Sequence, residues 1–312
     1  MKIIDADATR EALPFRDLIP SLRAMFEQGC EAPLRHTHSI GGAPMSGGTV
    51  LLMPAWTPGQ YFGVKIVTIY PGNHSRGLPG LHSTYILHDA TTGQPLALID
   101  GNEITSRRTA AASALAGSMI INGCARRHLV VGTGRVGRLI PEAYSEVIDV
   151  DEFVLWDRDS SHATAVVENL RRAGIHARVA TELAEEAKAA DIITCATLAT
   201  TPVIRGEWLK RGAHLDLIGS FTPEMREADD DCFVDADVYV DTDEATSKSG
   251  DLLGPLSREV FAITDIRATL SDLCRSSTPA RTLTGNHSVF KSVGTASEDL
   301  AAAMLVLRLN AP

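Results

Sequence analysis

The sequence predicts an α/β protein in which a Rossmann-type parallel sheet, with helices on both faces, follows a smaller α+β domain. The first observation is a change of pattern near residue 120. Before it, short strand-like runs are separated by turn sequences rich in proline and glycine, which is typical of an antiparallel or mixed sheet. After it, strands and helices alternate with short connections, which is typical of a parallel sheet. The second observation is a glycine-rich hexapeptide, residues 132–137, directly after a strand-like run.

The elements of the first part are delimited by its turn sequences, and an alanine-rich helix then leads into the second part. The predicted strands are 49–53, 64–70, 84–88 and 96–100, and the predicted helix is 105–121.

The second part has the alternating pattern, and its last apolar helix is expected to return to the first part. The predicted strands are 129–131, 153–156, 177–179, 191–195, 214–218 and 238–240, and the predicted helices are one beyond Arg135, 162–173, 182–189 and 295–307. We therefore expect a first domain of residues 1–115, against which 295–312 packs, and a second domain of residues 116–294.

Composition narrows the function classes. The 312 residues carry 29 basic and 39 acidic side chains, a net charge of −10, which disfavours a surface that follows nucleic-acid phosphates. The longest apolar run, 301–307, is too short to cross a bilayer. Five scattered cysteines without a C-x-x-C pair are typical of reduced thiols. We expect an acidic, soluble, cytoplasmic enzyme that binds no nucleic acid, membrane or metal.

The hexapeptide Gly132-Thr133-Gly134-Arg135-Val136-Gly137 is a G-x-G-x-x-G sequence that follows the β run Leu129-Val130-Val131 and precedes a predicted helix. In a dinucleotide-binding turn, the first glycine permits the tight bend and the second leaves room for the pyrophosphate. The third allows the helix to approach the sheet, and its N-terminal N–H groups face the anion. Pro141 lies a few residues into that predicted helix, where it removes only an early N–H.

Asp157 closes the next predicted strand, 20 residues beyond Gly137, where an acid can accept hydrogen bonds from the adenosine ribose. Its charge would repel a 2′-phosphate, so NAD is favoured over NADP. Arg158 leaves NADP open, since an arginine at this position can bind that phosphate. The alternative to a cofactor site is a glycine-rich turn in a nucleotide-free domain.

Several segments, taken in order, resemble the ornithine cyclodeaminase/mu-crystallin family. They are GVKIV at 63–67, YPGN at 70–73, GLHS at 80–83, DATTGQPLA at 89–97, RTAAA at 108–112 and FKSVGTASED at 290–299. The resemblance implies an enzyme that binds an amino or imino acid by its carboxylate beside a nicotinamide dinucleotide. It also implies a first domain that binds substrate and pairs two copies into a homodimer.

The resemblance assigns site residues by position. It implies that Arg35, Lys65 and Arg108 bind the carboxylate, with Lys65 and Arg108 as the catalytic residues, and that Phe221 and Val293 lie at the substrate. The implied dinucleotide contacts include Ser83, Arg108, Thr197, Ser292 and the loop 217–220, with Ile218 and Gly219, which passes the nicotinamide end in the family. The others are Gly132, Gly134, Arg135, Val136, Gly137, Asp157 and Arg158.

Plainer interpretations of these residues remain open from the sequence. Lys65 could be a solvated strand residue, Arg108 a surface residue before an alanine-rich helix, and Ser292 a helix cap. Arg35 lies in a region without a firm pattern. A metal site near Arg35 is a further alternative, with His36, His38, His74, His82 and His88 as its ligands. No spacing among these histidines fits a known ligand set, so the sequence favours the interpretation that they are scattered surface residues.

Two positions depart from the cyclodeaminases, which carry an aspartate where Phe221 stands and a glutamate where Leu51 stands. A buried ammonium without an acidic partner is costly, so a diamine substrate is disfavoured. We therefore expect an NAD(P)H-dependent reductase of a cyclic ketimine carboxylate, or an amino-acid dehydrogenase, with Asp216 as a weak candidate for the proton donor. The alternatives are an ornithine cyclodeaminase and a non-catalytic binder.

Overall fold

A computed structural model describes residues 1–41, 47–121, 123–276 and 283–310, with the side chain of His74 left out. Its strands are β1 Lys2–Ile4, β2 His36–Ile40, β3 Gly48–Thr57, β4 Tyr61–Ile69, β5 Leu81–Asp89, β6 Pro95–Asp100, β7 Cys124–Val131, β8 Asp149–Trp156, β9 Ala177–Val179, β10 Ile192–Cys195, β11 His214–Leu217, β12 Ala236–Val240, β13 Ile266–Thr269 and β14 His287–Lys291. Its α-helices are α1 Ala6–Glu11, α2 Phe15–Gln28, α3 Gly101–Ile120, α4 Ile140–Ser145, α5 Ser160–Arg172, α6 Leu183–Ala189, α7 Ala245–Lys248, α8 Gly250–Ser257, α9 Leu270–Arg275 and α10 Ala296–Leu309.

The chain divides into two compact units. The first comprises Met1–Arg108 and Thr295–Pro312, and the second comprises Thr109–Gly294. The predicted boundary after residue 115 and the observed one after Arg108 fall within the same helix, α3. Residues 311 and 312, part of the predicted returning segment 295–312, lie outside the described residues.

The first unit is built on a six-stranded sheet of order β1-β6-β5-β4-β3-β2, antiparallel except for the parallel pair of β1 and β6. Helix α10 packs against α2 and against β3 and β4. The covered face carries buried alternate residues such as Met53, Val67 and Leu87. This alternation is what a sheet with one face against helices requires. Predicted strands 49–53, 64–70, 84–88 and 96–100 correspond to β3 to β6.

The second unit is an eight-stranded parallel sheet of order β13-β12-β14-β11-β10-β7-β8-β9. The strands after β7 first extend the sheet towards β9, and β10 then adds on the other side of β7. This reversal is the topological switch point of a doubly wound sheet, where ligands bind beyond the carboxyl ends of the strands. The fold class is therefore the predicted one: α/β with a Rossmann-type parallel sheet.

The helix predicted beyond Arg135 begins with a 3₁₀ turn, Gly137–Leu139, and its α-helical part, α4, begins at Ile140. Pro141 consequently lies in the first turn of α4 rather than a few residues inside a helix. A proline is tolerated at this place because the first helical N–H groups have no intrahelical partner. Helix α3 also begins at Gly101, four residues before the predicted 105.

Candidate functional site

In the first unit, Lys65 lies in the middle of β4, on the buried face between Gly63 and Val67. Its side chain is only 2% exposed, so the interpretation as a solvated strand residue is wrong. The Lys65 Nζ atom lies 2.7 Å from Oδ2 of Asp299 on α10. Burial lowers the pKa of Lys65 to about 8; the Asp299 carboxylate opposes this shift, and the Arg108 charge adds to it.

Arg108 also forms an ion pair with the Asp299 carboxylate. Its Nε donates to Asp299 Oδ1 over 3.1 Å, and its Nη1 donates to Glu298 Oε2 over 2.7 Å. Arg108 lies within α3 and is 6% exposed, so it is not a surface residue before the helix. The two oxygens of Asp299 therefore each contact one cation. This carboxylate holds two buried cationic side chains next to each other.

The acids of this cluster were not predicted from the sequence. Glu298 is the third residue of α10 and forms a capping box with Thr295, in which its Oε1 accepts from the Thr295 backbone N–H over 3.3 Å. The other oxygen, Oε2, is thereby left to accept from Arg108. A Thr-x-x-Glu pattern before an apolar run was the available signal for this helix start. The structure also shows that Thr295, rather than Ser292, caps α10.

The other predicted residues of the first unit lie as follows. Arg35 is half-buried directly before β2, and its charge also lowers the pKa of Lys65. Ser83 is buried on β5, and its Oγ forms no hydrogen bond with the part of the chain that the structure describes. Leu51 is half-buried on β3.

In the second unit, the glycine fingerprint follows β7 at the switch point of the sheet. Gly132 has a φ of 91°, and a Cβ there would lie 2.8 Å from Ala196 O. A Cβ on Gly137 would lie 1.8 Å from Gly132 O, so only glycine fits this tight turn. A Cβ on Gly134 would meet nothing within 4 Å. The turn thus leaves an open space at Gly134, which is the place a pyrophosphate requires. Arg135 is exposed and Val136 half-buried.

Asp157 directly follows β8 and is tied to the fingerprint. Its Oδ2 accepts from the Thr133 N–H over 2.8 Å and from Thr133 Oγ1 over 2.7 Å. Its Oδ1 accepts from the Asp159 N–H over 3.1 Å. Burial acts to raise the pKa of Asp157, but the hydrogen bonds from Thr133 and Asp159 outweigh it and leave that pKa below its usual value. The carboxylate is therefore charged and oriented. Arg158, next to it, is exposed.

The turns after β10, β11 and β14 carry the remaining predicted residues. Thr197 follows β10 and Gly219 follows β11, and both donate to the buried carboxylate of Glu227, a residue that the sequence did not indicate. Ile218 extends β11, where its N–H donates to Cys195 O over 2.9 Å. Ser292 and Val293 follow β14 and are buried; the Val293 N–H donates to Asp241 Oδ2 over 2.8 Å.

Phe221 and Asp216, which the sequence linked to substrate choice and proton transfer, differ in their surroundings. Phe221 is half-buried and packs against the apolar core of the second unit. Asp216 is fully buried in β11, where its oxygens accept from Ser113, Tyr144 and Thr194 over 3.0–3.2 Å. Burial raises the pKa of Asp216 to about 6, against these hydrogen bonds. Asp216 is thus a buried member of a hydrogen-bond network with Ser113, Tyr144 and Thr194, and it is not exposed as a proton donor would be.

Two further findings concern metals and membranes. Among residues 1–41, 47–121, 123–276 and 283–310, no three His, Cys, Asp or Glu side chains are grouped so that they could hold a metal ion. No helix in these ranges combines the length and the apolar character that a membrane span needs.

Known proteins resemble this chain along its length. The model of the ornithine cyclodeaminase/mu-crystallin family matches residues 5–309. Delta(1)-pyrroline-2-carboxylate reductase of Colwellia psychrerythraea is 32% identical over 98% of both chains. The structure of Thermococcus litoralis Delta(1)-pyrroline-2-carboxylate reductase in complex with NADH and L-proline has a TM-score of 0.91 at 28% identity, covering 99% of this chain and 97% of that one. An archaeal alanine dehydrogenase dimer with bound NAD has a TM-score of 0.90 at 26% identity, covering 99% and 95%. The chain belongs to the ornithine cyclodeaminase/mu-crystallin family.

Proposed function

We propose that this protein is an NAD(P)H-dependent reductase of imino acids, acting on a cyclic ketimine carboxylate such as pyrroline-2-carboxylate or piperideine-2-carboxylate. The observation that carries the proposal is the pair of buried cations, Lys65 and Arg108, bridged by Asp299 at 2.7 and 3.1 Å. Two cations held together by a fixed carboxylate form a preorganised receptor for a second carboxylate. The similarity to two pyrroline-2-carboxylate reductases supports this substrate class.

The cofactor we propose is NADH. The open space at Gly134 and the tight turn at Gly132 and Gly137 fit a dinucleotide pyrophosphate. The charged Asp157 fits the ribose hydroxyls and disfavours a 2′-phosphate, and the exposed Arg158 keeps NADPH as the second cofactor to test. Two of the similar structures contain NADH or NAD.

A bound reduced dinucleotide would supply the hydride for the imine carbon, and the chain's own residues bind and orient the substrate. Lys65 and Arg108 hold the substrate carboxylate, while Asp299 and Glu298 fix the direction of both cations. A protonated cyclic iminium already carries its proton, so its reduction to a secondary amine requires no strong acid from the protein. Leu51 and Phe221 stand at positions where cyclodeaminases carry acids, and such a substrate brings no second amine that would need an acidic partner.

The function is tested with a substrate panel. The purified protein is incubated with pyrroline-2-carboxylate, piperideine-2-carboxylate or L-ornithine, each with NADH and with NADPH, while cofactor absorbance and ammonia are followed. Net oxidation of NADH with the cyclic imines is expected, and the reverse reaction should reduce NAD with the cyclic amino acid product. Release of ammonia from L-ornithine without net cofactor change would instead identify a cyclodeaminase. Cofactor binding without turnover on the whole panel would identify a non-catalytic binder.

We also propose a homodimer that forms through the first unit. The sheet face opposite the buried Lys65 presents half-exposed apolar side chains on neighbouring strands, among them Trp56, Phe62, Val64 and Ile86. A contiguous apolar face of this kind is typical of an interface. The similar alanine dehydrogenase is a dimer. Val64→Lys should shift the mass measured by light scattering towards a monomer, whereas Ile263→Lys, at a side chain exposed elsewhere, should leave it unchanged.

A further inference from the structure

A single buried carboxylate connects two turns at the carboxyl edge of the parallel sheet. Glu227 Oε1 accepts from the Thr197 N–H over 2.6 Å and from Thr197 Oγ1 over 2.9 Å, and its Oε2 accepts from the Gly219 N–H over 2.6 Å. Thr197 belongs to the turn after β10 and Gly219 to the turn after β11, and these two strands are neighbours. The Glu227 side chain is completely buried.

We propose that Glu227 is a positioning residue whose carboxylate ties these two turns together and thereby sets the backbone that receives the nicotinamide half of the dinucleotide. This inference rests on the proposed function, because the resemblance assigns Thr197 and the loop 217–220 to the dinucleotide. Hydrogen bonds to a charged acceptor are about twice as strong as neutral ones, so the connection is suited to holding a fixed geometry.

The packing around Gly219 shows how closely the turns are matched. A Cβ on Gly219 would lie 2.0 Å from Thr197 O and 2.4 Å from Glu227 Oε1. The backbone of one turn therefore lies directly against the other, with the Glu227 carboxylate beside them. Moving one turn away from the other would break a hydrogen bond to Glu227.

Glu227 is itself held by two other buried charges. Asp251 Oδ1, on α8, accepts from the Glu227 and Ala228 N–H groups over 2.8 and 3.1 Å. Lys291 Nζ, on β14, lies 3.5 Å from Asp251 Oδ2 and donates to Leu217 O over 3.0 Å. All three charged side chains are fully buried. Lys291 thus lies beside Asp251 and contacts the end of β11, and its charge also acts on Glu227.

This arrangement makes the proton on Glu227 sensitive to pH near neutrality. Burial raises the pKa of Glu227 to about 7; Lys291 opposes the shift and Asp251 adds to it. A further titratable group that interacts with Glu227, the Cys195 thiol on β10, has its pKa raised by burial and is neutral. Below pH about 7, a proton on one Glu227 oxygen would face the N–H of Thr197 or Gly219, and that hydrogen bond would be lost. The affinity for NADH should therefore fall as the pH falls through 7.

The test uses Glu227→Gln, which keeps the shape and removes the charge. The Kd for NADH is measured by fluorescence titration between pH 5.5 and 8.5, and the Kd for ADP-ribose, which lacks nicotinamide, by calorimetry. In the unmodified protein, we expect the Kd for NADH to rise about tenfold from pH 8 to pH 6, as loss of one charge-assisted hydrogen bond requires. In Glu227→Gln, the Kd should be about tenfold higher at pH 8 and independent of pH, while the Kd for ADP-ribose stays unchanged.

The matched control is Asp216→Asn, another fully buried acid of the same sheet, whose partners Ser113, Tyr144 and Thr194 lie in neither turn. It should keep the pH dependence of NADH binding. Thr197→Val, which removes the hydroxyl that donates to Glu227 and accepts from the Ala199 N–H over 3.2 Å, provides a second variant should Glu227→Gln not fold, and should raise the Kd for NADH but not for ADP-ribose. The inference would be overturned if Glu227→Gln bound NADH with unaltered affinity, or if it weakened the binding of ADP-ribose as much as that of NADH. Should Glu227→Gln not fold, the same two outcomes for Thr197→Val would overturn it. An unmodified protein that binds neither NADH nor NADPH would overturn the proposed function itself.

Discussion

Lys65→Met offers the sharpest test of the carboxylate site. The change removes a cation that is 2% exposed and 2.7 Å from Asp299, while the methionine keeps much of the volume. A substrate carboxylate would lose one of its two charged partners in a desolvated site. Losing one partner of a buried charge pair costs about 2–5 kcal/mol. At 1.4 kcal/mol per factor of ten, kcat/KM for a cyclic imino acid should fall roughly 30- to 4,000-fold.

The same substitution removes the Lys65 partner of Asp299 and leaves its pair with Arg108, which has a separate effect on stability. Breaking a buried pair by removing one partner destabilises a protein by about 3–5 kcal/mol. The double variant Lys65→Met/Asp299→Asn removes the excess negative charge, so it should unfold at a higher temperature than the single variant without recovering activity. This separation of stability from activity distinguishes substrate binding from a purely structural ion pair.

The assay for Lys65→Met is steady-state oxidation of NADH with pyrroline-2-carboxylate, together with a fluorescence titration of NADH. The Kd for NADH should stay within about twofold of the unmodified protein, since the Lys65 ammonium pairs with Asp299, a residue that is not assigned to the dinucleotide. A parallel loss of NADH affinity, or an unchanged kcat/KM, would refute the assignment of Lys65 to the substrate carboxylate.

Three further predictions follow from the same contacts. Because burial lowers the pKa of Lys65 to about 8, the lysine is charged below that pH and neutral above it. In a pH profile, kcat/KM should therefore fall as the pH rises through 8, whereas a flat profile up to pH 10 would contradict a role for the lysine charge. Asp157→Ser should weaken NADH binding and narrow the preference over NADPH, as measured by the two Kd values, because the charge that repels a 2′-phosphate is gone; an unchanged ratio would argue against the ribose contact. Phe221→Asp should lower the inhibition constant of L-ornithine by about twofold to fivefold, because a partly exposed ion pair with the ornithine amine adds about that much affinity. Efficient conversion of ornithine to proline by the unmodified protein would contradict the reductase proposal.

The dinucleotide fingerprint could be predicted from the sequence because its determinants are local. A β run, three spaced glycines and an acid at the end of the next strand all lie within 129–157. The structure confirms the strand before the turn and the position of Asp157 after β8. The sequence did not show that the helix beyond Arg135 begins as a 3₁₀ turn, because such a turn can occupy the same residues as a first α-helical turn. Propensity does not distinguish the two.

The two buried charge clusters were decided by the tertiary structure alone. Lys65 is charged and sits in a strand, which by itself favours exposure; its burial depends on Asp299, which reaches it only because α10 packs on β4. Glu227 lies in a polar stretch without periodicity, and its partners Thr197 and Gly219 come from two separate turns. A buried charge is tolerable only when distant partners converge on it. That convergence is a property of strand order and helix packing, which local sequence patterns do not encode.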